Sequence, residues 1–411
     1  MKFDTLNLDA RLQNNISSLD YRRMTDIQYK AFKPIMQKDD VLAVAQTGTG
    51  KTAAFGIPTI QRLLEKPQKH QSYIVRCVVM EPTHELAHQV GDVLKKLANG
   101  TDINTCAIYG GVNQDEQIEN LKRGTDIIVA TPGRLFDLSA QGYLDVSSCE
   151  ILILDEADQM LALGFFKDIK QLCARLPKHR QTLFFSATIN PEIKKLAYSL
   201  VVKPVNIRIS PKNAVAKNVT HAVLKVKMDE KRFYLERIRH ENPEASIMVF
   251  VRTRVRAERV AAAMKRVGID AVNIHGDKSQ KERNAALETF RKHEVTMLIA
   301  TDVSARGIDI PHVNYVVNYD VPDVVENYVH RVGRTGRGMD KGYALTFCAP
   351  EEEKLLADVE KYLGGKIDEM KMSREDREAT IDFSEEASDD WKSLIDKEIS
   401  KEEKRKGKRK C

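Results

Sequence analysis

Short runs rich in β-branched residues recur along this chain, spaced so that a helix fits between most neighbours. They are VLAVA (41–45), IVRCVVM (74–80), TCAIY (105–109), DIIVA (126–130), ILIL (151–154) and TLFF (182–185). Stretches with helical periodicity, such as THELAHQVGDVLKKLAN (83–99), separate them. Strands that alternate with helices must cross over a sheet, which requires a mainly parallel sheet with helices on both faces. The rhythm lapses at VNIRISPKNAVAKNVT (205–220), which is polar, contains Pro211 and has no helical period. It then resumes with HAVLKVKM (221–228), IMVFV (247–251), DAVNI (270–274), TMLIA (296–300), YVVNY (315–319) and YALTF (343–347). The expected fold is therefore α/β, with two tandem domains over 1–207 and 219–370 joined by a linker at 208–218.

Residues 371–411 form a charged extension, acidic at DFSEEASDD (382–390). Trp391, Leu394, Ile395 and Ile399 fall on one face of a possible helix, which we expect to dock on its own domain. The tail KEEKRKGKRK (401–410) carries seven Lys or Arg against two Glu. It suits a polyanion, or else is simply a solvated end.

The six cysteines are widely spaced with no CxxC pair, which argues against a zinc site or a disulfide framework and for a reducing compartment. The N-terminal MKFDTLNLDARLQNN has no apolar core of a signal peptide. No apolar run approaches the ~20 residues of a membrane helix. A cytoplasmic, monomeric protein without membrane contact is expected.

Ligands of open parallel sheets bind beyond the C-terminal strand ends, and the unusual residues gather there. QTGTGKT follows the strand at 41–45, PTHELA that at 74–80, Gly110-Gly111 that at 105–109, and TPGRL that at 126–130. DEAD follows 151–154, SAT follows 182–185, RTR follows 247–251, and TDVSARGID follows 296–300. The stretch AQTGTGKT (45–52) has P-loop spacing, with Ala45 at the usual first glycine. Gly48 and Gly50 would let the amides of Gln46, Thr47, Gly48, Thr49 and Gly50 wrap phosphate oxygens at a helix N-terminus. Lys51 would reach the outer phosphates, and Thr52 would set its hydroxyl on Mg²⁺.

Three carboxylates within four positions, Asp155, Glu156 and Asp158, need a compensating cation. Beside a P-loop, Asp155 is placed to hold Mg²⁺, partly through water, and Glu156 to orient or deprotonate the attacking water. Asp158 could meet the hydroxyls of Ser186 or Thr188 and couple the site to the rest of the domain.

The P-loop, DEAD, SAT and HRVGRTGR (330–337) together make the chain resemble the DEAD-box RNA helicases, of compact bacterial type, over roughly residues 1–370. The resemblance implies RecA-like domains, ATP and Mg²⁺ as ligands, and RNA as partner. It implies that Gln28 reads adenine, with Phe3 and Tyr21 near the base and Asp309 on the ribose. Asp20, Met24 and Asp26 replace the family's usual Gly, Pro and Pro. Arg334 and Arg337 would be fingers on the γ-phosphate, with His330 as a coupling residue at i, i+4 and i+7 spacing on one helical face. A basic patch on RNA, with Arg331, is the other use open to these arginines.

For the RNA backbone the resemblance implies Pro82, Thr83, Gly110, Gly111, Thr131, Gly133, Arg134, Arg252, Gln280, Arg283 and Thr301. None of these offers base readout, so little sequence preference is expected. His84 stands at the family's Arg. The function expected is RNA-stimulated ATP hydrolysis coupled to closure of two domains and local unwinding of short duplexes. An ATP-gated RNA clamp or assembly platform with little unwinding is the alternative, and a DNA-directed relative is disfavoured by DEAD and Gln28.

Overall fold

The computed structural model describes residues 1–46, 48–209, 218–305, 313–336, 341–382 and 384. The chain divides into two compact units, each built on one seven-stranded sheet. The strands of the first are β1 (Val41–Val44), β2 (Cys77–Met80), β3 (Thr105–Ile108), β4 (Ile127–Ala130), β5 (Ile151–Leu154), β6 (Gln181–Ser186) and β7 (Val205–Arg208). They lie in the order β3-β4-β2-β5-β6-β1-β7, and every pair is parallel.

Both faces of this sheet are covered, which is why the inner strands β1, β2, β4 and β5 are apolar at every position. Val79 and Ile153 belong to one core, with Ala53, Phe55 and Ile57 of the helix Lys51–Glu65. Their strand neighbours Met80 and Leu154 belong to the other core, with Leu135, Leu138, Ile169 and Ile193. The strand order sets β2, β5, β6 and β1 side by side in the middle of the sheet. The segments PTHELA, DEAD, SAT and the P-loop therefore leave adjacent strands at the same edge.

The second unit repeats the plan. Its strands are β8 (Val219–Lys225), β9 (Ile247–Val251), β10 (Val272–Ile274), β11 (Met297–Thr301), β12 (Tyr315–Asn318), β13 (Gly342–Cys348) and β14 (Asp368–Glu369). Their order is β10-β11-β9-β12-β13-β8-β14, again all parallel. Most strands are a residue or more shorter than the apolar runs that announce them. β2 starts only at Cys77, because Arg76 is buried and turned to Glu150 Oε1 at 2.8 Å and the Lys66 carbonyl at 2.9 Å. β14 has no counterpart among the runs, being two exposed residues added at the sheet edge.

The start of the C-terminal extension lies on the second unit. The helix Arg374–Asp382 meets the helix Lys231–Glu241 through Arg237 Nη1 on Thr380 Oγ1 at 2.6 Å, and Arg377 Nη2 reaches Glu230 Oε2 at 2.6 Å. Most of the expected linker (210–217), the Trp391 stripe and the basic tail fall outside the described residues. Among the described residues no helix is long and apolar enough to cross a membrane.

The second unit is centred on a buried ammonium. Lys231 is fully enclosed, with its Nζ on Glu352 Oε2, 2.7 Å from the Tyr319 carbonyl and 3.7 Å from Asp320 Oδ1. Glu352 also accepts from the Ala349 amide at 3.0 Å. Removing one partner of a buried pair strands the other, at about 3 kcal/mol or more. Glu352→Ala should therefore speed hydrogen exchange of the β12 and β13 amides by roughly two decades while leaving β1, β5 and β6 unchanged. Unaltered protection in β12 and β13 would count against this.

Candidate active site

The loop after β1 turns on two glycines in the left-handed region, Gly48 at φ 79° and Gly50 at φ 87°. Gly50 is required twice over, since a Cβ there would stand 2.6 Å from Gln28 Nε2. Thr49 Oγ1 closes the turn on the Gln46 carbonyl at 2.7 Å. Thr47 lies outside the described residues. Lys51 and Thr52 open the following helix, Lys51 being only 5% exposed.

Gln28 sits on the helix Asp26–Met36 beside this loop. Its Nε2 donates to the Gly50 carbonyl at 3.3 Å, and its Oε1 accepts from the Thr25 amide at 2.8 Å. The amide that the resemblance assigns to adenine thus ties the P-loop to the start of its own helix. Phe3 is 2% exposed, within the first core, with its ring 6.4 Å from that of Tyr21.

β5 delivers Asp155 and Glu156 to the P-loop. Lys51 Nζ stands 2.6 Å from Glu156 Oε1 and 3.7 Å from Asp155 Oδ1. Glu156 adopts φ 48°, a left-handed conformation that costs a non-glycine residue ~1–2 kcal/mol. Its amide meets Asp155 Oδ1 at 2.9 Å, which holds the kink. Burial opposes the charge on Lys51, but the carboxylates of Glu156 and Asp155 override it and hold the ammonium above its ordinary pKa. Burial pushes Asp155 up to about 6, against the pull of Lys51 and with the repulsion of Glu156. Asp158 Oδ2 accepts from the Thr188 amide at 3.0 Å and hydroxyl at 2.9 Å. Ser186 is buried, and its hydroxyl has no hydrogen-bond partner among the described residues.

One residue of this cluster escapes the sequence reading. Glu81, directly after β2, is fully buried, and neither carboxyl oxygen has a hydrogen-bond partner among the described residues. Burial first, then the charges of Asp155 and Glu156, push it well above the usual carboxylate range. Its signal is a glutamate at the end of an apolar strand, the position Asp155 has on β5.

The residues that resemblance assigns to RNA occupy the strand ends of both units. Thr83 caps the helix His84–Leu97 by accepting from the Leu86 amide at 3.3 Å, next to the buried Pro82. The His84 ring lies 5.9 Å from that of Tyr109, and a Cβ on Gly110 would be 3.4 Å from it. Gly111 has φ 76°. Arg134 is fastened to Gln117 Oε1 and the Val112 carbonyl, both at 3.1 Å, so it braces the Gly110-Gly111 loop. Thr131 is buried, and Gly133 is exposed.

In the second unit Arg252 reaches Asp323 at 3.3 Å and Glu352 at 3.2 Å. Thr301 Oγ1 is 2.9 Å from Ser304 Oγ, and Arg283 Nη2 is 3.4 Å from the Ser304 carbonyl. Gln280 opens the helix Gln280–Arg291.

Contrary to the spacing, His330 and Arg334 do not share a helix. The helix Val325–Val332 carries His330 but ends before Arg334, because its last turn closes through the Gly333 and Arg334 amides. Arg331 is buried, with Nε and Nη2 on Asp302 at 2.6 and 2.8 Å, so it is a core ion pair and no part of a surface patch. Arg334 Nε turns back to the His330 carbonyl at 3.2 Å. Arg337 and Asp309 lie outside the described residues.

The donors fit Mg²⁺ shared with phosphates. Among the described residues no three His, Cys, Asp or Glu side chains are arranged to hold a metal unaided. Asp155 and the Thr52 hydroxyl supply hard oxygen, and Mg²⁺ characteristically takes few protein ligands and keeps water. Asp155 also makes ligand-free stability depend on pH. Its folded pKa of about 6 lies above the ordinary 3.8, so its contribution is full below 3.8 and lost as pH rises through 6. Asp155→Asn should therefore stabilise the nucleotide-free chain near pH 7 by up to about 3 kcal/mol, with the gain vanishing near pH 4. Melting curves of the two proteins at both pH values test this, and coincident curves near pH 7 would refute it.

Known proteins resemble both halves of the chain. A family model described as DEAD/DEAH box helicase matches residues 25–196, and one described as helicase conserved C-terminal domain matches 230–339. The chain is 38% identical over 370 residues to the DEAD-box ATP-dependent RNA helicase CshA of Bacillus subtilis, covering 90% of this chain and 74% of that one. It is 39% identical over 364 residues to the ATP-dependent RNA helicase DBP3 of Lodderomyces elongisporus, covering 86% and 67%. The structure of S. cerevisiae Dbp5 bound to RNA and ADP BeF3 is similar with a TM-score of 0.80 at 28% identity, over 92% of this chain and 98% of that one. The DEAD-box helicase Mss116 bound to ssRNA and UDP-BeF gives 0.81 at 26% identity, over 94% and 83%. The two sheets are thus RecA-like domains in tandem, and the chain belongs to the DEAD-box family of RNA helicases, enzymes of the P-loop NTPase class.

Proposed function

We propose that this helicase hydrolyses ATP in response to RNA, and that closure of its two domains (1–207 and 219–370, through the linker 208–218) opens short duplexes locally. The observation that carries the reading is the Lys51 ammonium held on Glu156, with Asp155 alongside, at the C-terminal ends of the central strands. Lys51 neutralises Glu156 while phosphate is absent. Phosphate oxygens compete for that ammonium, and Glu156, released from it, is free to accept a proton from the attacking water. Asp155 and Thr52 would hold Mg²⁺, which when bound supplies charge compensation for the outer phosphates. The left-handed turn at Glu156 keeps both carboxylates aimed at one place, so no reorganisation is needed when charge develops. The Asp158–Thr188 contact ties the kink to the end of β6.

Arg334 and Arg337 act on the transferring phosphoryl group only in the closed state, which makes turnover depend on RNA. RNA lies on its backbone across Thr83, Gly110, Gly111 and Gly133 of the first domain and Arg283 and Thr301 of the second. Each ligand tightens the other's binding, as linkage requires. The RNA-bound states of Dbp5 and Mss116 support RNA as the partner.

Single-stranded RNA should raise the ATPase rate of the whole chain, while the excised segment 1–207 stays nearly inert. Arg334→Ala should cut RNA-stimulated kcat about 10³-fold with fluorescent-ADP affinity retained. Unstimulated turnover as fast as the stimulated rate would sink the proposal. Strand displacement from a short duplex under ATP separates a helicase from a clamp, which would instead show only long-lived RNA binding under a non-hydrolysable analogue.

A further inference from the structure

Glu81 has an environment that packing alone does not account for. Met80 pairs with Leu154 in the β2–β5 ladder, so the next residues, Glu81 and Asp155, stand opposite one another on adjacent parallel strands. Side chains alternate along a strand, and residues two apart share a face. Val79 and Ile153 face the core that contains the helix Lys51–Glu65. Glu81 and Asp155 therefore point to that same face, towards the start of the helix that carries Lys51. The Glu81 amide is fixed to the Ala130 carbonyl at 2.9 Å, so its backbone is set by the sheet on both sides.

The side chain is fully enclosed, yet neither oxygen accepts a hydrogen bond among the described residues. A buried polar group left without a partner costs about 1–3 kcal/mol. Apolar residues fill the preceding positions of β2, so an apolar side chain would suit the fold better here. Retaining a carboxyl at such a cost is what a functional constraint looks like. Charge points to the kind of ligand. Glu81, Asp155 and Glu156 bring three carboxyls to one ammonium, Lys51, which can offset the charge of only one of them. A divalent cation restores the balance.

We propose that Glu81 is a positioning residue of the ATP site, accepting hydrogen bonds from the water shell of the divalent cation that Asp155 holds. The inference rests on the reading of Asp155 given above and extends it to a third carboxyl, on the neighbouring strand. Hydrated Mg²⁺ presents water O–H donors in every direction, and Glu81 offers two oxygens with no other partner. Groups that orient a metal's water or ligands from outside the coordination sphere commonly change metal affinity 10–100-fold.

The test is binding of a fluorescent ADP to the full chain, in EDTA and across a Mg²⁺ series, for the unsubstituted protein, Glu81→Gln and Glu81→Met. The expected result is that both variants need about ten-fold more Mg²⁺ for half-maximal strengthening of ADP binding, with affinity in EDTA unchanged. Glu81→Met should also melt no lower than the unsubstituted chain, because it removes the unpartnered carboxyl and keeps the volume. Equal Mg²⁺ requirements in all three proteins would overturn the proposal. So would parallel losses of EDTA affinity and melting temperature, which mark a structural role. If the unsubstituted chain binds ADP without regard to Mg²⁺, the metal reading of Asp155 fails and this one with it. Mg²⁺-dependent binding that survives Glu81→Gln intact removes Glu81 alone.

Discussion

One ammonium among carboxyls, buried at the edge of a parallel sheet, governs the first unit. Lys51 is nearly enclosed and so are Asp155 and Glu156. An ion cluster of this kind adds little net stability, because desolvation consumes most of the attraction. Its cost is offset by the cores on either face, which close around β2, β5, β6 and β1. On the proposed function, the same feature that weakens the fold would make the site responsive. Phosphate would compete with Glu156 for Lys51, and a cation would answer the repulsion among the carboxyls. Ligands would then meet groups already desolvated.

The second unit sets a buried ammonium to the opposite use. Lys231 is surrounded by Glu352, Asp320 and the Tyr319 carbonyl, and Asp320 is in turn gripped by Arg256 at 3.0 Å. Glu352 has its oxygens taken by Lys231, Arg252 and the amides of Val321 and Ala349. A network satisfied to this degree specifies one arrangement and resists change. It pins the ends of β9, β12 and β13 to one another, and Arg252 is caught in it. An arginine so engaged serves the shape of the edge before it serves any ligand. Comparing the two units separates a polar cluster kept for structure from one kept for chemistry. The acceptors around Lys231 have partners, whereas Glu81 and Ser186 have none among the described residues.

Most of the fold was legible because a covered parallel sheet writes itself as apolar runs with helices between. The runs located the strands to within a few residues, and the polar residues after them include Lys51, Asp155 and Glu156, which the fold brings together. β14 was invisible since a two-residue exposed edge strand leaves no apolar trace. Arg331 misled for the reverse reason: in a row of arginines nothing in the sequence says that one turns inward to Asp302. Helical spacing also implied that His330 and Arg334 share a helix, but Gly333 ends it between them. Glu81 was hidden by its neighbours, because a glutamate before PTHELA reads as one more polar residue at a loop's start. Its meaning depends on which strand lies beside β2, and strand order is a property of the folded sheet.

The segment before the P-loop shows how a motif survives altered residues. Asp20, where the family has glycine, takes φ 57°, a conformation that aspartate tolerates better than most. Asp26, in place of proline, occupies the first turn of the helix Asp26–Met36, where a negative charge favours the helix dipole. Order that prolines would impose locally is supplied by contacts distant in sequence. Lys2 bridges Arg23 in antiparallel fashion, and the Met24 amide bonds the Met1 carbonyl at 3.0 Å. Those contacts bring the N-terminus alongside and place Phe3 in the core with Tyr21 packed near it. Gln28 then completes the link by joining the Thr25 amide to the Gly50 carbonyl. The amide that the family resemblance assigns to adenine is thus also a strut of the P-loop, so a base engaging Gln28 would also act on that loop.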